Sequence, residues 1–289
     1  MGFKRRIPWW GKIGAKLVLS RLPASYGLWQ RLGLFRHGDM DEPGYALRVF
    51  DEHVAQAGLS DRLARKTILE LGPGDSVAAA IIARARGARA ILVDVGPFAK
   101  AQPETYGPLV HQLREAGLNP PTIEGMTTLR ELIEACEASY LTEGLTSLRE
   151  LPESSVDLVY SQAVLEHVRK REFVDIQREL FRILKDDGVC SHQIDLRDHL
   201  GGSLNNLRFS EQLWESDFFS RSGFYTNRIN FEAMAGLFRQ AGFEVEVGEM
   251  RRWKTLPINR HQLATVFREI SEETLCVSGF DVLLRRASR

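Results

Sequence analysis

The stretch from Thr67 to Ser76, reading Thr-Ile-Leu-Glu-Leu-Gly-Pro-Gly-Asp-Ser, constrains this chain more than any other. Thr67 to Leu71 is a short apolar run with β-branched residues at its start, the pattern of one buried parallel strand. The run breaks at Gly72-Pro73-Gly74 and passes into Val77 to Ala83, rich in good helix formers. A strand, a glycine turn and a helix in that order let a nucleotide-like ligand approach backbone N–H groups with no Cβ in the way.

The spacing narrows the ligand. A dinucleotide fingerprint needs a third glycine at position 77, where this chain has Val77, and that disfavours a nicotinamide-dependent oxidoreductase. A second strand, Arg89 to Val93, leads into Asp94, twenty residues after Gly74. A carboxylate there can accept hydrogen bonds from both hydroxyls of a ribose, or cap a turn.

Glu70, Gly72, Gly74 and Ser76 form E-x-G-x-G-x-S, which resembles motif I of the class I S-adenosylmethionine (SAM) dependent methyltransferases, with Ser76 in place of the last glycine. Leu151 to Ser161 resembles the family's L-P-x-x-S-x-D-x-V-x-S motif around the fourth strand. It runs on into Gln162-Ala-Val-Leu-Glu-His-Val168, similar to the Leu-Glu-His segment of the same enzymes. The resemblance implies a doubly wound, mostly parallel, seven-stranded Rossmann-like sheet and SAM as cofactor. It implies cofactor contacts from Glu70, Gly72, Gly74 and Asp94, from Ser147 and Leu148 beside the adenine, and from Ser161 and Gln162 by the methionine end. The phrases His192 to His199 and Tyr225 to Arg228 resemble bacterial methyltransferases encoded with surface-polysaccharide genes, which points to a sugar, glycan-related or other small-molecule acceptor.

A hydroxyl is a poor nucleophile, so O-methylation is helped by a general base. Sheet topology puts that base beyond the C-terminal ends of strands four and five, where His167, Asp195 and His199 stand. Tyr225, Asn227 and Arg228 offer groups for an acceptor. A metal held by His192, Asp195, Asp198 and His199 fits no defined ligand spacing, so no metal is expected. The readings that set catalysis aside are a SAM-binding scaffold and a membrane-docked partner protein.

The alternation of strands and helices from Thr67 onward places the methyltransferase domain at residues 61–289. Helices are expected over Thr105 to Gly117, Thr127 to Ala138, Glu172 to Lys185 (ended by Asp187-Gly188) and Phe231 to Ala241. Strands are expected at Ser139 to Gly144, Val156 to Ser161, Gly188 to Leu196, Phe243 to Val247 and Phe280 to Leu284. Residues 197–229 hold no clean period and read as a substrate loop or lid.

Residues 1–60 read as a helical arm. Its first 36 residues carry eight Lys or Arg and no acid, although the whole chain balances at 38 of each sign and makes no electrostatic case for nucleic acid. Within residues 1–22, cations surround Trp9, Trp10, Ile13, Leu17, Val18 and Leu19. That composition suits either peripheral contact with an anionic inner-membrane face or packing on the domain. There is no secretory-signal pattern, and the three cysteines are far apart, so a reduced cytoplasmic compartment is expected; oligomeric state is not legible.

Overall fold

The computed structural model describes residues 9–11, 13–14, 42–100 and 102–287. In chain order the elements are α1 (Pro43–Gln56), β1 (Thr67–Leu71), α2 (Ala78–Ala85), β2 (Arg89–Val93), α3 (Gly107–Glu115), α4 (Leu129–Ala135), β3 (Ser139–Leu141), α5 (Leu145–Glu150), β4 (Val156–Gln162), α6 (Lys170–Ile183) and β5 (Leu184–Asp195). They continue with two single turns, α7 (Glu211–Trp214) and α8 (Asp217–Ser220), then α9 (Phe231–Gln240), β6 (Phe243–Arg252), two more turns, α10 (Thr265–Arg268) and α11 (Glu272–Leu275), and β7 (Val277–Arg286).

The seven strands form one sheet in the order β3-β2-β1-β4-β5-β7-β6. Strands β1 to β5 are parallel, while β7 pairs antiparallel with both β5 and β6. This is the mostly parallel, Rossmann-like methyltransferase sheet that the sequence predicts. The chain winds from β1 outward to β3 and then returns to β4 on the other side of β1. The switch point therefore lies between β1 and β4, where such sheets open a crevice at their carboxyl ends.

Helix α2 is buried on almost every side. Its cover is α1, whose buried positions Ala46, Val49, Phe50, His53 and Val54 form one helical stripe, the four apolar ones in the same core cluster as α2. Pro43 at the first turn and the Glu42 carboxylate, which accepts from Gly44 and Tyr45 N–H, start that helix. On the opposite face α6 buries Phe173, Ile176, Leu180 and Ile183 against a second cluster shared with α9.

Three elements differ from expectation. Helix α6 stops at Ile183, and Asp187-Gly188 lies within β5. The β4–β5 register passes from Val156↔Leu184 to Leu158↔Val189, so one residue, Asp157, faces the four from Lys185 to Gly188 in a bulge. Asp157 anchors it, accepting from Lys185 Nζ (2.7 Å), Lys66 Nζ (2.9 Å) and Thr67 N (2.9 Å). Strand β3 is only three residues long, because Gly144 turns the chain at φ 54°. Residues 197–229 hold short helical turns rather than an open loop, and Trp214, Phe219, Phe224 and Tyr225 make a core of their own.

Most of the first 41 residues, including Leu17, Val18 and Leu19, lie outside the described residues. Of those described, Ile13 is buried in the Trp214 cluster and Trp9 meets Phe209 edge-on, while Trp10 is 65% exposed. Among the described residues no helix is long and apolar enough to cross a membrane.

Candidate active site

The turn after β1 is built from glycines because the backbone demands them. Gly72 and Gly74 have φ of +73° and +61°, which side chains resist. A Cβ on Gly72 would also stand 2.6 Å from both Val164 methyls, so the turn approaches the segment after β4 as closely as a chain can. Gly72 N–H donates to Val93 O (2.8 Å) and Gly74 N–H to Asp94 Oδ2 (2.9 Å). The other carboxylate oxygen of Asp94 accepts from Val95 N–H at 2.7 Å. The acid at the end of β2 is thereby oriented beside the turn. Ser76, at the third glycine position, is buried, and its Oγ accepts from Ala78 N–H at the start of α2.

Glu70 lies directly beneath this turn, 3% exposed, beside Tyr160. Its Oε2 has no hydrogen-bond partner among the described residues. Burial pushes the Glu70 carboxyl up to about 8, and neighbouring Asp94 adds to the effect. Val95 is 78% exposed, a large apolar side chain left at the strand end with its methyl over the Gly144 turn. The sequence reading passed over Val95; an apolar residue straight after the acid was the available signal.

The other expected cofactor residues divide. Gln162 is half-buried at the end of β4, donating to Gln193 Oε1, with its own Oε1 3.2 Å from His53 Nε2. Ser161 points to the opposite face, fully buried, its Oγ 2.7 Å from His192 Nδ1. Alternation along a strand imposes that division, so only Gln162 of the pair sits on the face of Glu70 and Tyr160. Ser147 and Leu148 are buried on α5, with Ser147 Oγ accepting from Glu143 N–H.

Past β4, Ala163 adopts φ 52°, an unusual value for a residue with a Cβ, and the chain turns toward Glu166 and His167. His167 is exposed; its Nδ1 is 2.8 Å from Tyr225 O, which fixes that nitrogen as the donor. The ring stacks on His199 with centroids 4.6 Å apart and planes 26° from parallel. Glu166 is 1% exposed, and burial pushes its carboxyl up to about 8. It borders a cavity of about 30 Å³, room for roughly one water.

Several sequence expectations are corrected by these contacts. Asp195 and His199 do not share a helical face, because residues 196–199 are not helical. Burial works to raise the Asp195 carboxyl, yet paired bonds from Arg197 (2.8 and 2.7 Å) hold it below its ordinary value. An acid so engaged is a poor proton acceptor. Asn227 is spent on structure: its Nδ2 donates to Leu165 O and Val168 O, and its Oδ1 accepts from Ile229 N–H. Arg228 is an internal cation. It donates to Phe209 O and Glu211 Oε2 and lies over the rings of Trp214 and Phe267. The Tyr225 hydroxyl donates to Glu215 Oε2 at 2.9 Å. The four residues weighed for a metal are dispersed. His192 is buried under the sheet, Asp195 holds Arg197, and Asp198 accepts from the N–H groups of Leu200, Gly201, Gly202 and Asn205.

Sequence reasoning also missed a buried polar chain behind the site. His53 Nδ1 lies 2.7 Å from Ser191 Oγ and its ring stacks on Tyr160 at 4.9 Å, linking α1 to β4 and β5. Burial lowers the His53 pKa to about 4 and the His192 pKa to about 3, so both are neutral rings inside the fold.

The family model for the methyltransferase domain matches residues 45–247, about 70% of the chain, spanning both the glycine turn and the His167 segment. The chain belongs to the methyltransferase domain family. The residues present fit SAM, the cofactor that the sequence resemblance implies: a glycine turn closed to a Cβ at Gly72, an acid oriented beside it, and a buried carboxyl oxygen without a partner beneath. Among solved structures, a SAM-dependent methyltransferase from Methanosarcina mazei is similar at 15% identity over 78% of this chain and 94% of its own, with a TM-score of 0.47. One from Mesorhizobium loti is similar at 17% identity over 82% and 100%, TM-score 0.45. The 1,6-didemethyltoxoflavin-N1-methyltransferase of Burkholderia thailandensis, solved with 1,6-didemethyltoxoflavin and S-adenosylhomocysteine, is similar at 11% identity over 96% and 90%, TM-score 0.45. No curated protein sequence matches the chain.

Proposed function

We propose that this methyltransferase methylates an oxygen of a sugar or glycan-related acceptor, with His167 as the base. SAM, when bound, supplies a methyl group on a sulfonium, so the protein's task is alignment and management of the acceptor's proton. Asp94 would receive the ribose hydroxyls, Val95 the apolar face of the adenine, and the Glu70 carboxyl a donor from the methionine end. Gln162 would stand between cofactor and acceptor. Residues 197–229 would cover the acceptor, with the described part of residues 1–60 as a cap over them and over α2.

The observation that carries the O-directed reading is the His167–His199 stack at the carboxyl ends of β4 and β5. Tyr225 O fixes the tautomer of His167, leaving Nε2 as the basic nitrogen. A ring held in one tautomer near the crevice is what proton removal from a hydroxyl requires. His199 backs the ring and takes the place that Asp195, committed to Arg197, does not fill. The sugar or glycan class rests on the sequence resemblance of His192 to His199 and Tyr225 to Arg228.

Incubation with methyl-labelled SAM and fractionated cell glycans, lipids, proteins and small metabolites tests this reading. Label recovered as a methyl ether in the glycan or sugar fraction supports it. Label confined to amines, or to protein, contradicts it.

A further inference from the structure

We propose that Glu166, His167 and His199 form a binding site for a divalent transition-metal ion. One ligand atom from each of the three lies within 4.8 Å of the others. The set differs from the dispersed group that the spacing of the sequence suggested, and it is assembled only by the fold.

A second observation points to a ligand independently of that proximity. Glu166 is 1% exposed, and neither carboxylate oxygen has a hydrogen-bond partner among the described residues. Native structures seldom leave a buried carboxylate in that condition, because nothing replaces the water it lost. A cation between Glu166 and the two imidazoles supplies what is missing.

The surroundings have the form that metal ligands need. A ligating histidine usually donates its other ring N–H to a main-chain or carboxylate oxygen, which fixes its orientation. His167 does so to Tyr225 O at 2.8 Å, so Nε2 is the nitrogen it would give to a metal. Asn227 clamps the strand of chain carrying Glu166, with its N–H on Glu166 O (2.7 Å) and its amide on Leu165 O (2.8 Å). Asp198 closes the turn carrying His199.

Two imidazoles and one carboxylate suit Zn²⁺, Fe²⁺ or Co²⁺ rather than Mg²⁺ or Ca²⁺, which prefer all-oxygen sites. Three protein ligands also leave coordination positions open, the arrangement of catalytic rather than structural sites. A hydroxyl bound at such a position loses its proton more readily. With an ion bound, His167 Nε2 would be a ligand and not a base, so the metal would take over the acidification of the hydroxyl, its proton passing to solvent, and His167 would act as base only in the metal-free protein. That consequence rests on the O-methylation reading; the metal site itself does not.

The test uses the full chain after treatment with chelator. Addition of Co²⁺ should produce visible d–d absorption saturating at one ion per chain. Zn²⁺ should abolish it and give the same stoichiometry by calorimetry, while Mg²⁺ in excess should do neither. His199→Ala and Glu166→Gln should each weaken Co²⁺ binding by about tenfold or more. His111→Ala and His261→Ala, at exposed histidines elsewhere, should leave it unchanged. S-adenosylhomocysteine binding by the same samples reports that each variant is folded, and separates failure of the metal site from failure of the cofactor reading. Absence of a stoichiometric Co²⁺ spectrum, or a spectrum that persists unchanged in both site variants, overturns the proposal.

Discussion

The main-chain N–H of Gly74 donates to Oδ2 of Asp94 over 2.9 Å, tying the turn after β1 to the acid that ends β2. The two residues are twenty apart in sequence and lie on neighbouring strands, so the bond exists only once β1 and β2 have paired from Thr67↔Arg89 to Leu71↔Val93. It holds a carboxylate where a ribose would meet it. On the proposed cofactor reading, cofactor and turn would share one acceptor.

Asp94→Ala is therefore expected to weaken S-adenosylhomocysteine binding by about tenfold or more, since hydrogen bonds to a charged acceptor contribute about 1.5–3 kcal/mol. Calorimetric titration measures this. An Asp94→Ala protein that binds as the parent does would remove Asp94 from the cofactor site.

Gly72 carries two constraints, its positive φ and its approach to Val164. Gly72→Ala should cost about 1–3 kcal/mol through backbone strain and overlap. Val164→Ala removes the overlap but leaves the strain. The double variant should accordingly lose less than the two single losses added together, in chemical denaturation. Strict additivity would show that the approach has no energetic content.

Arg228 is expected to matter for stability and not for the acceptor. Its guanidinium is enclosed by Phe209 O, Glu211, Trp214 and Phe267, so Arg228→Ala leaves bond acceptors without a donor in a packed segment. A loss of about 2–4 kcal/mol in thermal or chemical unfolding should follow. KM for the acceptor, measured well below the melting temperature, should stay near that of the parent. A large rise in KM with unchanged stability would restore Arg228 to the acceptor site.

Stability should depend on pH with two opposed slopes. Glu70 and Glu166 are each raised from 4.5 to about 8, so the stability they contribute is full below 4.5 and is lost as pH rises toward 8. His53 and His192 are lowered from 6.5 to about 4 and about 3, so their contribution is present above 6.5 and is lost as pH falls through those values. The melting temperature of the cofactor-free, chelator-treated protein should peak at about pH 5 to 6, where the two slopes cancel, and fall on either side. Glu166→Gln should flatten the alkaline slope. A melting temperature that climbs steadily from pH 5 to pH 8 would contradict the burial of these carboxylates as neutral acids.

How much of this was legible in the sequence depended on distance along the chain. Strands β1, β2 and β4 could be read because parallel strands buried on both faces are continuous apolar runs, and the glycine turn announces its own backbone. Asp187-Gly188 misled because the same dipeptide that ends a helix also suits a bulge, and the choice is made by Asp157 and Lys185 across the sheet. Asn227 and Arg228 looked like acceptor ligands because polar residues in an aperiodic stretch have no visible partners. Their partners, Leu165 O and Phe209 O, are set by the fold alone. The proximity of Glu166 and His199, thirty-three positions apart, has no local signature at all.

The most direct test is to measure cofactor affinity and turnover in His167→Ala side by side. S-adenosylhomocysteine should bind within about twofold of the parent while methyl transfer to the acceptor falls by about a hundredfold or more, because on the proposed reading His167 serves the acceptor's proton and not the cofactor. Full turnover in His167→Ala, or a loss of cofactor affinity that matches the loss of rate, would contradict the division of this site into a cofactor half at Gly72–Asp94 and an acceptor half at His167–His199.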